Sequence, residues 1–173
     1  MADIIPARMT HDYDGDLVVF LIGMRINKPW RPDLWMPVFL AMGPMLAELS
    51  KDKDSGLLGY WMTFGAGGPL LVQYWNSHEK LYAYASDRTA AHRPAWAAFN
   101  RRVRKAPGAV GIWHETYVVE RAESIYSGMP ASGLAAATSI VPVARRGETA
   151  RIPKAVLTWG VLAGLGTGTM AMV

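Results

Sequence analysis

The chain has 173 residues, enough for one domain with a sizeable core, and 51% of them are hydrophobic against 18% charged. It has no cysteine, which excludes disulfides, zinc–thiolate sites and a thiol nucleophile and suits a reducing, cytoplasmic compartment. The formal charge of +4, from 18 Lys+Arg and 14 Asp+Glu, comes with no nucleic-acid-binding motif, so nucleic acid is not an expected partner.

Residues 1–15 are mixed and polar and read as an N-terminal arm that carries His11. They lack the basic-then-apolar layout of a secretory signal. Asp16 to Ile26 reads as a strand, being short, β-branched and aromatic. Its apolar residues do not alternate. Leu17, Val19 and Leu21 face one way and Val18, Phe20, Ile22 and Met24 the other, so both faces are expected to be buried. After Asn27-Lys28-Pro29, Asp33 can cap a helix running to about Lys51. Leu34, Val38, Met42, Met45 and Leu49 recur in it at helical spacing, and Gly43-Pro44 predicts a kink or a break.

Leu57–Phe64 and Leu70–Trp75 read as strands joined by a glycine loop over residues 65–68. No Gly-Lys-Ser/Thr follows this loop, and it joins two strands instead of opening a helix, which argues against phosphate binding. Asn76 or Ser77 can cap a long helical pattern from His78 to about Lys105. Leu81, Ala85, Arg88, His92, Trp96 and Phe99 share one of its faces. Pro94 cannot donate to the Ala90 carbonyl, so the helix should bend there, beside His92. The basic run Arg101 to Lys105 reads as a solvated helix end facing the negative end of the dipole. Val110 to Val119 is a fourth strand, with His114 between apolar neighbours on one face and Trp113 and Tyr117 on the other. Two of the four histidines, His92 and His114, thus hold positions where an apolar residue is the default.

The order is β-α-β-β-α-β, the ferredoxin-like arrangement: an α+β fold with a four-stranded antiparallel sheet and two helices on one face. The other sheet face is apolar too. Two such sheets packed face to face would cover it, which predicts a homodimer of the dimeric α+β barrel type. The domain is read over residues 16–126. Residues 127–173 read as an irregular extension, and its last 19 residues, from Ala155, carry no charge. Membrane contact through residues 155–173 is weighed against packing on the protein's own dimer, since four glycines and three threonines weaken a span.

Two resemblances join this reading. Asp16 to Trp30, with Gly23-Met24-Arg25-Ile26-Asn27-Lys28 within it, the Met42–Leu49 segment and Gln73-Tyr74-Trp75 resemble a small-monooxygenase family typified by a monooxygenase of fumagillin biosynthesis. The likeness covers about residues 8–135 and implies a dimeric α+β barrel. More weakly, Tyr74-Trp75-Asn76-Ser77, the helix with a late histidine, and Trp113-His114-Glu115 are similar to the second half of haem aldoxime dehydratases. That likeness implies haem b with His92 as iron ligand and His114 as distal acid–base catalyst. Aldoxime dehydratases are about twice this length, with two fused repeats, so a homodimer would have to replace the repeat. Trp96 and Phe99 would flank the macrocycle, and Arg88 would meet a propionate. Imidazole in an apolar, aromatic pocket is a usual haem ligand.

Three functions stay open: a haem enzyme, lyase or monooxygenase; a cofactor-independent monooxygenase acting on an electron-rich substrate; and a non-catalytic carrier of haem or a hydrophobic ligand. In each the ligand is small and hydrophobic. Trp113, Arg25, Asn27 and Tyr74 are the candidate pocket residues. For Arg25 and Asn27 the competing role is a strand-end turn that bonds backbone, and for most of the tryptophans it is core or dimer contact.

Overall fold

The computed structural model describes residues 3–65 and 67–146. Its elements run β1 (Ile5–His11), β2 (Leu17–Ile26), α1 (Pro32–Leu40), α2 (Met42–Lys51), β3 (Leu57–Gly65), β4 (Gly68–Trp75), α3 (His78–Ser86), α4 (His92–Lys105), β5 (Val110–Val119), β6 (Tyr126–Met129), α5 (Gly133–Ala137), β7 (Ile140–Pro142) and α6 (Val143–Arg146). The main sheet has the order β3-β4-β2-β5 and is antiparallel throughout. This is the ferredoxin-like order, and it explains the non-alternating sequence of β2. A strand paired on both edges and packed on both faces has no side that must be polar. Ile22 stands opposite Leu71 on one neighbour and His114 on the other, so these three share the helix-covered face.

Each helical run expected from the sequence is two helices. Pro44 lacks the N–H that would bond the Leu40 carbonyl, and α1 ends at Leu40. Pro94 stands in the same relation to Ala90, and the chain leaves helical form between Ser86 and His92. In both cases the proline falls in the first turn of the new helix, where its missing donor has no partner to lose. The bend expected at Pro94 is therefore a full break. Ser77 caps α3 by accepting the Lys80 backbone N–H at 3.3 Å.

Two core clusters form under the helices. Val18, Leu49, Trp75 and Leu81 make one, and Met24, Ala109 and Val110 the other. The segment read as an arm and residues 126–142, mostly read as irregular extension, pair with each other. β1 pairs with β6 on one side and β7 on the other in a second, three-stranded sheet. α5 packs on β3 where Gly59 leaves room: a Cβ there would lie 2.7 Å from that of Ala137. Residues 155–173, and with them any membrane contact, lie outside the described residues. Among the described residues no helix is long and apolar enough to cross a membrane.

The far face of the main sheet is only partly covered in the single chain. Trp61, Trp113 and Tyr117 remain 43%, 41% and 50% exposed. β5 is an edge strand, and its residues 113–118 are exposed on both sides, in contrast to the burial expected from their apolar character.

Candidate functional site

Between the sheet and the helices lies a cavity of about 580 Å³, a size that holds small organic molecules. It runs between the two core clusters and takes its wall from all four strands of the main sheet and all four helices of the main layer. Most of that wall is apolar. The polar side chains are Gln73, His114 and Thr116 from the sheet and Tyr82, Tyr84, Ser86, His92 and Arg102 from the helices. No Asp or Glu lines it among the described residues.

His92 is the first residue of α4, so the Pro94 break sets its position. Glu48 on α2 pins that break with one carboxylate oxygen, which accepts the Ala91 backbone N–H at 3.0 Å and the Tyr84 hydroxyl at 3.0 Å. The Tyr84 ring then packs 5.2 Å from the His92 ring and 6.4 Å from Trp75. Burial, followed by the hydrogen bond to Glu48, pushes the Tyr84 phenol far above its ordinary range, so it stays a neutral donor. The imidazole of His92 is 8% exposed, and neither ring nitrogen has a hydrogen-bond partner among the described residues. Burying an unpaired polar group costs about 1–3 kcal/mol, and such groups in native proteins call for an explanation.

His114 enters the wall from β5, its ring 5.7 Å from that of Phe20. It is exposed, not buried as its apolar neighbours suggested, because β5 has no strand beyond it. Gln73 is buried, and its side-chain oxygen accepts the Trp75 indole N–H at 2.9 Å.

Among the other sequence-derived candidates, Trp96 and Phe99 line the cavity as an edge-to-face pair 5.4 Å apart. Arg88 does not. It is exposed on the connection between α3 and α4, and the break takes it off the face it would share with His92 in one continuous helix. The four residues proposed for a substrate pocket also lie off the wall. Tyr74 is on the far face, where its hydroxyl accepts the Trp61 indole N–H at 3.3 Å. Trp113 lies across β2 on that face, where a Cβ at Gly23 would overlap its indole. Arg25 donates to the Asn27 side-chain oxygen at 3.3 Å, and Asn27 donates to the Gly108 carbonyl at 3.0 Å, fastening the end of β2 to the turn before β5.

Sequence reasoning missed Gln73, Tyr84, Glu48 and Arg102. Only Arg102 had a legible signal, since it lies three residues beyond Phe99 and ten beyond His92 and so repeats their helix face.

Solved structures similar to the chain include the following three. One is SnoaB from Streptomyces nogalater, described as a cofactor-independent oxygenase. It is 8% identical with a TM-score of 0.40, over 62% of this chain and 97% of that one. A conserved protein from Methanosarcina mazei Go1 is 11% identical, with a TM-score of 0.42 over 59% and 92%. A dimeric ferredoxin-like protein of unknown function from Thermobifida fusca YX is 15% identical, with a TM-score of 0.40 over 62% and 95%. Curated protein sequences give no match. The model of the family described as monooxygenase af470-like matches residues 17–134, more than half of the sequence and all of the sheet-and-helix layer that builds the cavity, and the chain belongs to that family.

Proposed function

We propose that the chain is a monooxygenase that oxidises a hydrophobic, electron-rich substrate in this cavity by direct reaction with dioxygen. One juxtaposition carries the reading: His92 from the helices and His114 from the sheet stand on the wall of a largely apolar cavity. The reaction needs an acidic CH₂ group. Removal of one proton gives a carbanion, whose electrons pass to O₂ and form a peroxide at that carbon. Loss of the second proton cleaves the O–O bond and leaves a carbonyl, with water as the other product. His114 stands on the cavity wall and is open to solvent, a position that suits an acid–base group. His92 meets a polar group of the substrate and so gains the partner it lacks.

The donor sets for iron are incomplete. An iron-bound histidine ordinarily donates its second ring N–H to a carboxylate, carbonyl or water. Neither nitrogen of His92 has such a protein partner among the described residues, and Arg88, assigned to a propionate, is off the wall. Two histidines and a carboxylate for non-haem iron are likewise not supplied by the described residues, none of which brings a carboxylate to the cavity.

The partly covered far face, where Trp61, Trp113 and Tyr117 are exposed, supports a second copy of the chain as partner. Trp113→Glu should lower the molar mass measured by light scattering to that of a monomer.

The deciding experiment is oxygen uptake by the purified protein with phenolic and dicarbonyl carbon acids, run with isotopically labelled dioxygen and with and without added haem. The expected product carries one labelled oxygen, and haem makes no difference. A Soret band lost in His92→Ala, with uptake dependent on haem, overturns the cofactor-independent reading. Tight binding across the series without uptake makes the protein a carrier.

A further inference from the structure

We infer that Arg102 is an anion anchor at one end of the cavity, and that the ligand is an elongated hydrophobic molecule ending in a carboxylate. This rests on the cavity being the site proposed above. Among the described residues Arg102 is the one Lys or Arg on the cavity wall, and no Asp or Glu lines that wall to neutralise it. Its side chain makes no ion pair or hydrogen bond among the described residues. The basic residues around it, Arg101, Arg104 and Lys105, are exposed, whereas Arg102 is half-buried. A guanidinium is always charged, and a charge drawn partly out of water without a partner is a cost that a ligand anion removes.

The position of Arg102 sets the shape of the ligand. It and His92 line the same cavity from one helix, ten residues apart in sequence. A rise of 1.5 Å per residue makes that separation about 15 Å along the axis. Between them the wall presents Ala95, Trp96, Ala98 and Phe99, so that stretch of α4 carries no charge and its one polar group is the Trp96 indole N–H. A ligand that reaches both ends is therefore long, apolar in the middle and polar at each end. One guanidinium matches one carboxylate, which it grips through two parallel hydrogen bonds. A phosphate dianion would call for more cations than this wall supplies. The carboxylate at Arg102 leaves the opposite end of the molecule beside His92, where the oxidisable carbon belongs.

The competing role for Arg102 is packing of its aliphatic stem, since it also contacts a small void with Leu34, Val38 and Val103. Titration of the tryptophan fluorescence, to which Trp75 and Trp96 in the wall contribute, separates the two roles. The probes are dodecanoate and dodecanol, which differ in charge at one end. Dodecanoate should bind the wild type about tenfold more tightly than dodecanol, the effect of one charge-assisted hydrogen-bond pair. In Arg102→Gln that preference should vanish while dodecanol binding stays unchanged, and Arg102→Lys should restore part of it. Equal affinities in the wild type overturn the anchor, as does a preference that survives in Arg102→Gln. The wild-type comparison decides the first point even if the variant fails to fold. If neither probe binds, the cavity reading fails as well, whereas failure of the anchor alone leaves the oxygen-uptake result untouched.

Discussion

The molecule buries two histidines, one in each sheet layer, and treats them in opposite ways. His11, on β1 of the small sheet, is 3% exposed and fully engaged. Its Nδ1 lies 2.7 Å from the Ser124 hydroxyl, its backbone N–H donates to that oxygen at 3.1 Å, and Nε2 lies 3.4 Å from the Arg146 guanidinium. Arg146 is held in turn by Asp12 and Asp14. His92, in the main layer, is 8% exposed with both nitrogens unpaired. A satisfied buried imidazole ties distant segments together, while an unsatisfied one on a cavity wall awaits a ligand. On the function proposed above, the contrast sets a structural histidine, His11, against one that meets the substrate, His92.

The sharpest way to break the comparison is to make both residues apolar. His92→Leu should lower kcat by about 100-fold or more, the usual weight of a positioned acid–base or polar group. Its stability should hold or rise, because no partner is left unpaired. His11→Leu should do the reverse. It strands Ser124 and Arg146, costing about 2 kcal/mol, or about 4–8 °C in Tm for a chain of this size, with kcat unchanged. Calorimetry and oxygen uptake on the two variants give the crossed pattern. A large loss of stability in His92→Leu would mean that this residue, too, is structural.

The sequence showed these two sites unequally, for physical reasons. The apolar pattern of β2 on both faces pointed to a strand buried on both sides, and the strand and helix order came from the periodicity and the turn residues along the chain. His92 was visible because an imidazole interrupts an apolar stripe. His11 read as part of a loose arm because its partners lie 113 and 135 residues away. Pairing over that distance leaves no trace in local periodicity. Arg88 was misplaced for a subtler reason. Pro94 marks an irregularity, but the missing hydrogen bond does not tell a bend from a break, and the break alone moves Arg88 off the wall. Arg102 was absorbed into a basic run whose other members do face solvent.

The comparison also has a pH signature. Burial first, and then the Arg146 charge, lower the pKa of His11 below its ordinary 6.5, against a smaller opposing pull from Asp12 and Asp14. The folded state thus holds fewer protons than the unfolded chain at this site. Its contribution to stability is present above pH 6.5 and is lost as pH falls from there through the folded pKa. The difference in unfolding free energy between wild type and His11→Gln should therefore shrink on going from pH 8 to pH 5, as measured by urea denaturation. A difference that stays flat over that range would show that His11 titrates alike in both states.

The smallest effect tests how His92 is held. Glu48 does not line the cavity, yet its carboxylate takes both the Tyr84 hydroxyl and the Ala91 N–H, immediately before the histidine. It acts only through those two groups, which makes it a positioning residue. Glu48→Gln keeps the shape and one acceptor oxygen but removes the charge, so each hydrogen bond weakens from the charged to the neutral kind, about 1 kcal/mol in all. The Tyr84 phenol, freed from the carboxylate, should titrate at lower pH, a change that ultraviolet absorbance reads directly. A structural role alone would lower Tm and leave the kinetics unchanged. A positioning role also lowers kcat, and Tyr84→Phe added to Glu48→Gln should then cost less than the two single changes together, because both act through one contact.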